Sequence, residues 1–199
     1  MKYLPVSKLP VLEEEAAAGE IAETFDEIRT VLGVPSVGVA NLAVASSPAT
    51  LISGTRLLHD FIQQTTLPPP LLFMIHYTIS STKNCNCCSA AFKVACRSVG
   101  VDEEMLEALV SNLDAVNPKR VREIIKFAVK CALNPPGLTE ADYDRVRDQG
   151  VSDEELVEII GWAAIAMYND TLADAMKLDD PERQQVIEDG NHSIERANQ

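Results

Sequence analysis

The sequence predicts an all-α protein, on three observations. Apolar residues recur at helical spacing, as in Ile21, Phe25, Ile28 and Leu32, while the two-residue alternation of a half-buried strand is nearly absent. Capping residues, prolines and glycines also divide the chain into segments joined by short links. With 199 residues and 46% hydrophobic content, the chain is long enough to bury one substantial core. A single helical domain over 1–199 is expected, with its core at about 15–178 and a polar tail over 179–199.

The first helix is expected over 14–32, where Glu13 to Glu15 complement a positive helix start and Gly33 closes the far end. A second follows at 38–46. Ser47-Pro48 then offers an N-cap and a first-turn proline for 48–65. The triple proline Pro68 to Pro70 ends that helix and opens 69–83, because proline is tolerated only in the first turn. Asn84 caps 86–99, Gly100 stops it, and Asp102 to Glu104 begin 102–114. Asn117-Pro118 opens 118–132, Thr139 with Asp142 opens 140–149, and the Ser152/Glu155 capping box opens 152–172 after a stop at Gly150. From Asp179 onward a surface helix or frayed arm is expected. The stretch Gly100 to Met105 is echoed by Gly150 to Leu156, which reads either as a duplicated unit or as two ordinary acidic helix starts.

A net charge of −13 repels phosphate backbones and anionic lipid, so neither nucleic acid nor a membrane surface is an expected partner. The N-terminal stretch lacks the apolar run of a secretory signal. The longest mainly apolar run, Ile159 to Met167, falls far short of the ~18–20 residues that cross a bilayer. A soluble, cytoplasmic protein is expected.

Three of the five cysteines lie together in Cys85-Asn86-Cys87-Cys88, which suits a redox or metal cluster better than a secreted disulfide framework. Cys85 and Cys88 fall in the first turn of the expected 86–99 helix. There the unpaired N–H groups and the positive end of the dipole favour a thiolate, and the spacing allows a reversible disulfide. His76 sits on the preceding helix as a candidate base for a thiol proton, the bland alternative being a histidine satisfied in packing. Cys96 and Phe92 continue the stripe of Cys88 and read as core, as does Cys131. His59 and His192 read as solvated, and Trp162 and Tyr168 as core or subunit interface.

On these residues the chain resembles the alkylhydroperoxidase D-like branch of the carboxymuconolactone decarboxylase superfamily. The likeness extends to Gly33-Val34-Pro35, Leu42-Ala43 and Ser47-Pro48-Ala49, and to Thr139, the stretch Gly150 to Ile159 and Asn169. The resemblance implies an alkylhydroperoxidase D-like helical bundle that assembles as a dimer, trimer or hexamer. It also implies a proton relay in which a carboxylate and a histidine activate the paired cysteines against a peroxide. Here the two relay positions are Phe73 and Phe92, so the relay is degenerate and turnover is expected to be weak.

The leading functional expectation is therefore a CxxC-dependent thiol oxidoreductase with Cys85, Cys88 and His76 at its site. It would act on a peroxide or a disulfide, draw on a thiol reductant, and carry no cofactor and no metal. Exposure at the first turn favours Cys85 as the attacking thiol, whereas the family relay acts on the second cysteine, here Cys88. One alternative is a non-catalytic oligomer of the same fold that binds a ligand or a partner. Another is a metal-binding variant using Cys85, Cys87, Cys88 and His76.

Overall fold

The computed structural model describes residues 7–32 and 36–178. Gly33-Val34-Pro35, the tail from residue 179 and His192 lie outside the described residues. All regular structure among the described residues is helical. The α-helices are α1 (Glu20–Leu32), α2 (Val39–Val44), α3 (Pro48–Gln64), α4 (Pro69–Thr82), α5 (Asn86–Ser98), α6 (Glu103–Ser111), α7 (Lys119–Leu133), α8 (Glu140–Arg147) and α9 (Asp153–Met176). Each segment read from the sequence within 14–172 has a helix. The first begins later than expected: Glu14–Ala16 is an isolated 3-10 turn, and Gly19, at φ 59°, breaks the chain before α1. At the other end α9 runs on to Met176.

The described residues fall into two compact units, one drawn from Met1–Gln63 and Leu172–Gln199, the other spanning Gln64–Thr171. In the first, Phe25, Ile28, Val37, Val44, Ala45 and Leu51 form a buried cluster against which Leu172 and Met176 pack. Glu14 ties this unit together, pairing with Arg29 and accepting the Val37 N–H at 3.1 Å. His59 is half-buried and pairs with Glu27 at 3.0 Å, where solvation had been expected. Helical spacing alone does not reveal a partner on another helix.

The second unit is organised around α4. From Leu71 to Ser80 every residue but Phe73 is buried, and α4 packs against α5, α6 and α7. A helix covered on all sides has no polar face, which is why this stretch reads as nearly continuous apolar sequence. The remaining covered surface meets α9: Trp162 is fully buried and donates its indole N–H to the Leu72 carbonyl at 2.6 Å. Helices α4 and α5 pack on each other across their short link, with the ring of Phe92 lying between Phe73 and His76.

The capping chemistry explains the register. Thr139 and Asp142 form a reciprocal capping box at α8. Ser152 and Glu155 do the same at α9, with backbone-to-side-chain bonds of 2.9 and 3.1 Å. Gly100 and Gly150 end their helices at positive φ, 85° and 73°, where a Cβ is strained. No helix among the described residues is long and apolar enough to cross a membrane.

Candidate functional site

The turn from α4 to α5 builds the site. Helix α4 ends in a Schellman motif: the Cys85 N–H donates to the Ser80 carbonyl at 2.9 Å, and the Asn84 N–H donates to Ser81 at 3.1 Å. Asn84 takes the left-handed conformation, φ 60°, that this motif requires and that asparagine tolerates. It is therefore the terminator of α4 and not the cap of α5. The N-cap is Cys85 itself, at φ −80° and ψ 94°, and Cys88 falls one turn inside the helix. A helix end thus hands directly to a helix start, and the paired cysteines occupy the joint.

Burial changes what that joint does. Cys85 is 0% exposed and Cys88 only 7%. The expectation that exposure favours Cys85 as the attacking thiol is overturned, because an N-cap at a Schellman turn is folded back onto the helix it ends. The two thiols are in hydrogen-bond contact, and Cys85 also lies 4.0 Å from the Asp170 carbonyl oxygen. None of the five cysteines is in a disulfide. The contact with Cys85, then burial, then the nearby Asp170 and Cys87 push the Cys88 thiol well above its ordinary range. The positive helix start does not produce a resting thiolate at Cys88, because the Cys85 contact and burial both favour the thiol.

His76 on α4 is fully buried and has a ring nitrogen within 4.8 Å of the Cys88 sulfur. Its ring stacks on Phe92, with centroids 3.4 Å apart and planes 11° apart, and meets the edge of Trp162 at 5.8 Å. Burial pulls its pKa from 6.5 to about 3, so the ring is neutral at any physiological pH. Both ring nitrogens are without a hydrogen-bond partner.

Asp170 on α9 is the residue that sequence reasoning missed. It is fully buried, accepts the Ser80 hydroxyl on Oδ1 at 2.7 Å, and leaves Oδ2 without a partner. One ligand atom each of His76, Cys88 and Asp170 lies within 4.8 Å of the other two. Burial raises its carboxyl, while Ser80 and the Cys88 and Cys85 thiols pull the other way. A signal existed: Ile159, Ala163, Ala166, Asp170 and Ala173 recur at spacings of four and three, all buried, and only one of them carries a charge. Cys87 is buried but stands outside this cluster, while Cys96 and Cys131 are buried with thiols pushed up by desolvation to about 12 and about 11.

No protein-family model and no curated protein sequence matches the chain. Solved structures do. An alkylhydroperoxidase AhpD core protein from Ralstonia eutropha JMP134, described as peroxidase-related and uncharacterized, superposes with a TM-score of 0.80 at 22% identity, covering 91% of this chain and 96% of its own. A peroxidase-related protein from Silicibacter sp. TM1040 gives a TM-score of 0.77 at 23% identity over 88% and 92%. The debrominase Bmp8 in complex with 2,3,4-tribromopyrrole gives 0.78 at 16% identity over 92% and 97%. The chain therefore has the alkylhydroperoxidase D-like all-helical fold, in agreement with the resemblance read from its motifs.

Proposed function

We propose that the protein is a thiol oxidoreductase in which Cys85 and Cys88 cycle between dithiol and disulfide. The observation that carries this reading is the contact between the two thiols at the start of α5, with His76 and Asp170 facing them. Cys88 is the better attacking group: it is the less deeply buried residue of the pair, and its neighbours include the carboxylate able to take its proton. Its sulfur attacks a peroxide oxygen, the O–O bond breaks and an alcohol leaves. Cys85 then displaces hydroxide from the resulting sulfenic acid to close the disulfide, which an external thiol reductant reopens. A disulfide substrate fits the same chemistry by exchange. His76, held neutral, serves by position and as a hydrogen-bonding group more than as a strong base.

Turnover is expected to be weak, because Phe73 and Phe92 cannot move protons and Cys88 rests as the thiol. Phe73→Glu with Phe92→His is expected to raise it. The test is a thiol count before and after a stoichiometric hydroperoxide, with mass-spectrometric mapping of the product. Two thiols should disappear, and the bridge should join Cys85 to Cys88 with Cys96 and Cys131 still reduced. A bridge through Cys87, or oxidation first at Cys96 or Cys131, sinks the assignment. Unchanged thiols in folded protein favour the second reading, a non-catalytic relative, which the two phenylalanines and the raised Cys88 support.

The proposal includes a single-domain, cytoplasmic homo-oligomer. Val157 and Ile160, 70% and 38% exposed on α9, are the apolar side chains offered for assembly. Light scattering that returns the 21.7 kDa mass of one chain at micromolar concentration rules the oligomer out.

A further inference from the structure

Three buried side-chain atoms among the described residues have no hydrogen-bond partner: Nδ1 and Nε2 of His76 and Oδ2 of Asp170. A buried polar atom left unsatisfied destabilises the fold, so their occurrence on two facing residues needs a cause. The sulfur of Cys88 forms a triangle with one ring nitrogen of His76 and one carboxylate oxygen of Asp170 in which no side exceeds 4.8 Å. All three groups can donate a lone pair to a metal ion. Neutral imidazole supplies a nitrogen, the carboxylate an oxygen, and the deprotonated cysteine a sulfur.

We propose that the reduced site binds a thiophilic divalent metal ion of the zinc class through His76, Cys88 and Asp170, with Cys85 as the fourth donor. The donors come from three helices, α4, α5 and α9, so the ion would fasten elements distant in sequence. Cys85 lies outside the triangle and is added as the fourth donor because its thiol is in contact with Cys88 and its sulfur lies 4.0 Å from the Asp170 carbonyl oxygen. Tetrahedral bonds of about 2.0–2.3 Å hold ligand atoms roughly 3.3–3.8 Å apart, so no side of the triangle needs more than about 1.5 Å of contraction. Ser80 binds Oδ1 of Asp170 and leaves Oδ2 for the ion, while Phe92 fixes the plane of the His76 ring. Two thiolates favour zinc over magnesium or calcium, which take oxygen donors. The set differs from the one read from sequence: Asp170 enters and Cys87 leaves.

Metal and disulfide exclude one another, because both use the lone pairs of Cys85 and Cys88. The inference uses the residues of the proposed oxidoreductase site but does not require turnover. Binding releases the two thiol protons, so affinity rises with pH.

The test is an anaerobic titration of the reduced, metal-stripped full chain with Co2+ alone. Saturation at a single ion per chain is expected, with thiolate-to-cobalt charge transfer in the near ultraviolet, intense visible bands of tetrahedral cobalt, and displacement by Zn2+. His76→Gln and Asp170→Asn should each weaken binding about tenfold or more, and Cys87→Ser should leave it unchanged. Absence of the spectrum in the unsubstituted protein overturns the proposal whatever the variants do. So does undiminished binding in folded Asp170→Asn, or loss of binding in folded Cys87→Ser. Hydroperoxide turnover is measured separately on the metal-free protein. Cobalt binding without turnover defeats only the oxidoreductase reading, and turnover without cobalt binding defeats only this one.

Discussion

Asp142 and Asp170 are both buried carboxylates in the second unit, and they are opposites. Asp142 caps α8 and is fully engaged: it accepts the Thr139 N–H and hydroxyl at 2.7 and 2.8 Å, pairs with Lys130 at 2.6 Å, and pairs with Arg145. The Lys130 and Thr139 contacts hold its carboxyl far below the usual range. Asp170 has the Ser80 hydroxyl, two thiols and an unpartnered oxygen, and burial raises its carboxyl. The first stabilises the fold. The second keeps binding capacity in reserve, which is the physical mark of a site.

The largest expected effect lies beside Asp170. His76 titrates near 6.5 when unfolded and at about 3 when folded, so below 6.5 the unfolded chain takes up a proton that the folded chain refuses. Stability should therefore fall as pH drops from 6.5 toward 3, by roughly 4–5 kcal/mol at the acid limit. His76→Phe should remove that component from denaturant midpoints measured across this range in chelator. An acid profile identical to the unsubstituted protein's would mean the ring is not held neutral as described.

Exchanging the two carboxylates for amides should separate them by sign. Asp142, lowered in the folded state, contributes stability that is present above its unfolded pKa and lost as pH falls through its folded value. Asp142→Asn should therefore lower the melting temperature at neutral pH and flatten the acid limb. Asp170 is raised, so its ionisation opposes folding once pH passes the unfolded value. Asp170→Asn should gain melting temperature relative to the unsubstituted protein as pH rises from 4 to 8. No relative gain for Asp170→Asn between pH 4 and 8, or an Asp142→Asn protein as stable as the unsubstituted one at neutral pH, would break the comparison.

Smaller effects sharpen it. Trp162→Phe leaves the buried Leu72 carbonyl without its indole donor and should cost about 1–3 kcal/mol in denaturant unfolding. Thr139→Ala removes one side of the α8 capping box at about 0.5–2 kcal/mol. Ser80→Ala removes the hydroxyl of Asp170 for about 0.5–1.5 kcal/mol. It should also change the rate at which Cys88 is alkylated, a readout that Thr139→Ala should leave alone. Equal alkylation in all three proteins would detach Ser80 and Asp170 from the thiols.

Most of the helical plan was legible in the sequence, because the rules that set it are local. Prolines at Pro48 and Pro69, the reciprocal pairs at Thr139/Asp142 and Ser152/Glu155, and the glycines at 100 and 150 act within a turn of where they stand. The placing of Cys85 and Cys88 at a helix start, and of His76 on the helix before it, was legible for the same reason. The role of Asn84 was not, since a good N-cap and a left-handed terminator share one residue type and only the paired bonds from Asn84 and Cys85 distinguish them.

Tertiary structure decided the rest. His59 met Glu27, and Asp170 met Ser80, His76 and the thiols, across sequence separations that no periodicity encodes. The same packing decided the electrostatics. Seen along the chain, Cys88 sits at a positive helix end that favours its thiolate. In the folded protein the contact with Cys85, then burial and Asp170 from α9, hold the proton on, and of these burial and Asp170 depend on what distant segments cover and not on the residues next in sequence.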